Sequence, residues 1–213
     1  MKKSHIIAQL VGACLALLVA APAAAGPAPA SKAHTETAVL AGGCFWGLEA
    51  VFERLRGVSN VVSGFAGGNA LTAHYEIVST GTTGHAESVQ ITYDPAQISY
   101  ATLLKVYFTV ATDPTQLNRQ GPDEGTQYRS EIFYTTPEQQ QVAQTTIAAL
   151  TAAHAYAAPI VTKVEPLRGF YPAEAYHQHF YDRNPTYPYI VYNDKPKVDQ
   201  LHAKFPQLVK AEN

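Results

Sequence analysis

The chain is short of sulfur. Its 213 residues hold two cysteines, Cys14 and Cys44, and one methionine, Met1. That excludes a disulfide-stapled framework. It also excludes a zinc site built from spaced cysteines. Charge is modest too, with 15 basic and 17 acidic side chains and no basic block or stripe, so nucleic acid is not an expected partner. The one long apolar run lies at the N-terminus, where Lys2 and Lys3 precede Ile6 to Ala21 and Ala23-Ala24-Ala25 follows. This is the pattern of a secretory signal cut after Ala25, and it is short for a stable membrane span. Cys14 follows Val11-Gly12-Ala13 as at a lipoprotein cleavage site, but Leu15 to Ala20 continue apolar, which favours the later cut over a lipid anchor.

A periplasmic or secreted protein is therefore expected, with residues 1–25 as signal, 26–36 as an Ala- and Pro-rich tether, and 37–213 as one domain. Cleavage removes Lys2, Lys3, Cys14 and Met1, leaving 13 basic against 17 acidic side chains and a single thiol. No internal disulfide can then form in an oxidising compartment.

What the chain does have is Ala41-Gly42-Gly43-Cys44-Phe45-Trp46-Gly47, the remaining cysteine set among glycines beside the only tryptophan. Before it, Thr37-Ala38-Val39-Leu40 is β-prone; after it, Leu48, Val51, Phe52 and Leu55 fall at helical spacing. Cys44 is thus expected where a strand ends and a helix begins, with free N–H groups and the positive helix end favouring a thiolate. A small buried hydrophobe is the alternative role for a lone cysteine. The glycines on both sides weaken both elements, which suits a nucleophile at a tight turn better. Phe45 and Trp46 then form an apolar pocket wall.

Further elements follow in order: a strand Ser59–Phe65, a Gly-rich loop containing Tyr75, and a strand Glu87–Tyr93 with Val89, Ile91 and Tyr93 alternating. Tyr100–Ala111 has helical periodicity, and 113–128 is a long polar loop of the kind that carries function. A strand at 129–134, a helix from Pro137 to about His154, a strand at 160–164, a helix at 171–182 and a last helix near 198–205 complete the chain. This order predicts an α+β two-layer sandwich, a mixed sheet around a ferredoxin-like βαββαβ core.

Three polar clusters can furnish a site around Cys44. In Gly84-His85-Ala86-Glu87, a half-buried carboxyl with a raised pKa would donate protons, although a surface glutamate opening a strand is the commoner role for such a residue. Gly121-Pro122-Asp123-Glu124-Gly125-Thr126-Gln127-Tyr128-Arg129-Ser130 gathers a carboxylate, an amide, a phenol and a guanidinium, or forms a solvated turn. Ala175-Tyr176-His177-Gln178-His179 places two histidines two apart, so on a helix they cannot chelate one metal together. No metal is assigned, and no cofactor is called for.

GGCFWG, GHAE, GTQYRS and the AEAYHQ helix, in that order over about residues 38–205, resemble the A-type peptide methionine sulfoxide reductases. The resemblance implies thiol-dependent reduction of methionine S-sulfoxide, free or in oxidised proteins and peptides. It makes Cys44 the nucleophile, Phe45 and Trp46 the substrate-methyl pocket, and Glu87 the acid at the sulfoxide oxygen. It also makes Tyr75, Tyr128 and Asp123 the surrounding polar network. Pro122 stands where relatives often carry Asn. Relatives often carry resolving cysteines near the C-terminus, whereas Asn184-Pro185-Thr186-Tyr187-Pro188-Tyr189-Ile190-Val191 has none. A Cys44 sulfenic acid would then be regenerated by an external thiol, from a thioredoxin-like or glutaredoxin-like donor. A monomer is expected. Two other readings stay open: a cysteine hydrolase pairing Cys44 with His85, His177 or His179, and a redox sensor that oxidises without turnover.

Overall fold

In the computed structural model, residues 34–211 are described; the expected signal, Cys14 and most of the expected tether lie outside them. Strand β1 (Glu36–Gly42) runs through the middle of a six-stranded sheet. Helix α1 (Phe45–Glu53) and strand β2 (Val58–Ala66) follow it. A short helix α2 (Tyr75–Val78) precedes strand β3 (Ala86–Tyr93). Helix α3 (Tyr100–Val106) continues as a wider π turn over Tyr107–Ala111. A two-residue hairpin, β4 (Arg119–Gln120) and β5 (Asp123–Glu124), then leads to strand β6 (Ser130–Tyr134). After helix α4 (Pro137–Ala152) come β7 (Lys163–Pro166), β8 (Phe170–Pro172), helix α5 (Phe180–Arg183) and helix α6 (Lys195–Lys204).

The strand order is β7-β6-β1-β3-β2-β8, with only β6–β7 parallel. The four central strands have the expected ferredoxin-like arrangement. The pleat explains why β1 is apolar throughout. Ala38 and Leu40 join the main core with α1, α3 and α6, while Val39 and Ala41 join a small cluster with Ala66, Ala86 and Phe133 on the other face. Helix α1 buries Leu48, Val51 and Phe52, with Leu55 just beyond, as their spacing predicts. Helix α4 lays Ala143 against the same core. Helices on one face make the two layers.

Two expectations are corrected. Residues 171–182 do not form one helix. Residues 170–172 pair with β2, a turn follows, and His179 adopts left-handed φ 51° before the single turn of α5. Gln178 explains the break: its amide accepts from the Ser63 N–H and donates to the Ser63 and Ala173 carbonyls, clasping the chain to the sheet. The strand expected at 160–164 instead covers Lys163–Pro166, where it finds β6 in register.

Candidate active site

Cys44 lies at the strand–helix junction, 8% exposed, as the N-cap position of α1. Two features fix the turn. Gly43 has φ 98°, and a side chain there would run into Gln120. The Tyr107 hydroxyl donates to the Ala41 carbonyl at 2.6 Å.

Glu87 is delivered by the pleat. It shares the core-facing side of β3 with Val89, Ile91 and Tyr93, so a carboxyl is buried (2% exposed) where the pattern calls for an apolar group. One of its oxygens accepts from the Phe45 N–H at 3.0 Å, the first turn of α1, leaving the other for a proton. Burial pushes the Glu87 pKa up to about 8; the Phe45 N–H opposes it, and the charges of Asp123 and Asp194 add smaller upward pushes.

The same burial overturns the expectation of a resting thiolate. Desolvation raises the Cys44 pKa well above the usual thiol range, and the charges of Glu87 and Asp194 add to it. The Trp46 N–H and Lys197 act in the opposite direction and lose. The helix end is present, but a dry site beside two carboxyls outweighs it.

All seven residues singled out from the sequence line one cavity of about 180 Å³: Cys44, Phe45, Trp46, Tyr75, Glu87, Asp123 and Tyr128. Tyr187 and Tyr189 complete it. The motifs around them are braces. Arg129 donates to the carbonyls of Gly84, His85 and Thr126 and pairs with Glu131 at 2.6 Å, tying the Glu87 loop to the Tyr128 loop. Thr126 donates to the Gly81 carbonyl, joining that loop to the end of α2. Glu174 accepts from the Tyr75 N–H at 3.0 Å.

The Trp46 indole donates to His177 Nδ1 at 3.2 Å and stacks on Phe180, with centroids 3.8 Å apart and planes within 11°. Tyr187 and Tyr189 meet its ring edge-on. Tyr189 also donates a short hydrogen bond to Asp123. Burial raises the Tyr75 pKa to about 12 and that of Tyr128 further, so both phenols keep their protons.

Sequence reasoning missed Tyr187, Tyr189 and Asp194. The Pro-rich tail signals only its lack of cysteine; nothing in its spacing marks the rings as part of a site. Asp194 is fully buried against Gly47, 3.7 Å from Lys197 Nζ, with a pKa pushed up to about 6 by burial, and it raises both Cys44 and Glu87.

Among the described residues no histidine is seated as a base for Cys44. His85 accepts from Gly68 and faces the Asn69 carbonyl, His177 accepts from Trp46, and His179 pairs with Glu53 at 2.7 Å. The cavity thus presents a protonated nucleophile, a buried acid, two phenols and an aromatic wall, an arrangement suited to a small polar group carrying a methyl.

Comparison with known proteins agrees. Residues 36–209 match the family model of peptide methionine sulfoxide reductase. A peptide methionine sulfoxide reductase MsrA 2 of Mesorhizobium japonicum is 60% identical over 174 residues, covering 82% of this chain and 89% of that protein. Its namesake from Synechocystis sp. is 52% identical over 187 residues, 88% and 87% of the two chains. Among solved structures, reduced Mxr1 of Saccharomyces cerevisiae is 32% identical with TM-score 0.65, covering 74% of this chain and 90% of that one. Methionine sulfoxide reductase A of Corynebacterium diphtheriae is 37% identical with TM-score 0.62, covering 71% and 76%.

Proposed function

The chain belongs to the peptide methionine sulfoxide reductase family, and from that premise we propose that Cys44 reduces methionine S-sulfoxide through a sulfenic acid that an external thiol regenerates. The observation that carries this is the meeting of Cys44 and the neutral Glu87 acid in one cavity of about 180 Å³. That volume is below the range of whole-ligand sites, so it suits the end of one side chain rather than a peptide.

The sulfoxide methyl lies against Phe45 and Trp46, and the S–O oxygen faces Glu87, Tyr75 and Tyr128. Negative charge on that oxygen is stabilised by O–H donors already in place. As Cys44 sulfur attacks the sulfoxide sulfur, Glu87 protonates the oxygen and the thiol proton replaces the one it gave. The S–S bond made in that attack then breaks as the hydroxyl passes to Cys44, so that the S–O bond to the substrate is replaced by an S–O bond to Cys44. Methionine leaves as the thioether, reduced by two electrons, and Cys44 is oxidised by two to the sulfenic acid. The raised Cys44 pKa fits this order of events, because the attacking sulfur surrenders its proton only as the oxygen takes one up.

No cysteine follows Cys44 in the chain. A first external thiol therefore condenses with the sulfenic acid, releasing water and leaving a mixed disulfide. A second thiol frees Cys44. A dithiol of the thioredoxin or glutaredoxin kind supplies both. The Lys2-Lys3 start and apolar run support export, so the donor would work outside the cytoplasm. Among the described residues no helix is long and apolar enough to cross a membrane.

The test is turnover of a peptide containing methionine S-sulfoxide, with dithiothreitol as reductant. Repeated turnover by wild type and none by Cys44→Ser is expected. No turnover on either epimer, with Cys44 still reactive to a thiol probe, would overturn the reading. A mature protein beginning at Gly26 would support export, and an intact N-terminus after expression in a secreting host would contradict it.

A further inference from the structure

On the side of α1 away from Cys44, three groups that no spacing rule connects come together. Glu49 and Glu53 are one helical turn apart, and His179 arrives from 126 residues further along. Their nearest ligand-type atoms all lie within 4.8 Å of one another. His179 Nδ1 is 2.7 Å from Glu53 Oε1 and 3.9 Å from Glu49 Oε1.

Glu49 is what makes this more than an acidic patch. It is 1% exposed, and only one of its oxygens is used, accepting from the His179 backbone N–H at 2.9 Å. The other, Oε1, is buried, has no hydrogen-bond partner and faces the His179 ring. The neighbouring Ser63 hydroxyl, buried and otherwise without a partner, faces Glu49 and favours its charged form. The nearby guanidinium of Arg54 is committed to Asp182 at 2.6 Å and to the Ala50 carbonyl, so it does not serve the Glu pair directly. A buried carboxyl oxygen satisfied by little beyond its own proton, set beside an imidazole and a second carboxylate, can exchange that proton for a cation.

We propose that Glu49, Glu53 and His179 form a site for a divalent transition-metal ion, with Zn²⁺ as the reference case. One imidazole and two carboxylates are ordinary ligands for such ions. Ligands about 2.0–2.1 Å from a tetrahedral ion are about 3.3 Å apart. The His179–Glu53 pair must open slightly, Glu49 Oε1 must close on the His179 ring by about half an ångström, and the two carboxylates, within 4.8 Å of each other, must converge on the ion. Glu53 and His179 are partly exposed, which gives the ion an entry path and leaves a position for water. The site also touches the wall of the cavity, because His177 and Phe180, the two partners of Trp46, flank His179. An ion there would fasten that wall to α1.

The test uses the untagged chain in a Cys44→Ser background, so that the thiol cannot bind metal. Co²⁺ titration followed by its visible spectrum should show one equivalent bound with nitrogen and oxygen ligands. His179→Ala should weaken binding by more than the roughly 10–100-fold that losing an outer partner costs. Glu53→Gln should weaken it similarly. Since the His179 backbone, not its side chain, bonds Glu49, the alanine variant keeps that contact. Thermal unfolding supplies the second readout: Zn²⁺ should raise the midpoint of the Cys44→Ser protein and leave the double variant unmoved. Equal binding in both proteins, or none in either, would overturn the site.

Discussion

Replacing Glu87 by Gln tests the buried acid without an activity assay. Gln keeps an oxygen to accept from the Phe45 N–H and removes the ionisable proton. In the folded chain the Glu87 pKa is about 8 against an ordinary 4.5, so the native state holds a proton that the unfolded state releases between those values. Stability then falls as pH rises through that window, the slope being set by the proton difference. At about 1.4 kcal/mol per unit, the group costs the wild type under about 1 kcal/mol near pH 5 and about 4 kcal/mol near pH 8. Glu49 and Asp194 are also raised, to about 8 and about 6, but they are present in both proteins and largely cancel in the comparison.

Glu87→Gln should therefore gain about 3 kcal/mol on the wild type between those two pH values. Urea unfolding followed by Trp46, the only tryptophan, measures it at each pH. A gap that stays constant within about 1 kcal/mol would refute the raised pKa, and with it the claim that Glu87 is a resting proton donor.

Three other outcomes follow from the geometry. Methionine formed in a single turnover without added thiol should slow as pH rises through about 8, because Glu87 loses its proton there; a rate that climbs instead would mean that thiolate supply is limiting. Gly47→Ala should destabilise by about 1–3 kcal/mol, since its Cβ would sit 2.2 Å from Asp194 Oδ1; an unchanged melting temperature would show that Asp194 yields freely. Tyr189→Phe strands the Asp123 carboxyl, a loss of about 1–3 kcal/mol that should lower kcat/KM roughly 5–150-fold with the fold intact. No change would place that pair outside the reaction.

Much of this was legible in the chain. The strand–turn–helix around Cys44 follows from two apolar periodicities meeting at paired glycines. The burial of Glu87 follows from its parity with Val89, Ile91 and Tyr93. Three things were not legible. The protonation of Cys44 depends first on burial in the folded core and then on carboxyls from β3 and the C-terminal segment, so the local helix-end argument gave the wrong sign. The break at 171–182 depends on Gln178 clasping Ser63, a contact 115 residues apart that overrides helical periodicity. The Glu49–Glu53–His179 cluster joins a helix to a turn for which no spacing rule exists.

The central claim is that Cys44 alone carries the two electrons and stops at the sulfenic acid until a thiol arrives. Reduced mature protein, given excess peptide sulfoxide and no thiol, should yield one methionine per chain. Mass spectrometry should then find the Cys44 peptide trapped by a sulfenic-acid reagent. Methionine yield near zero, or a full yield with Cys44 unmodified, would contradict the account.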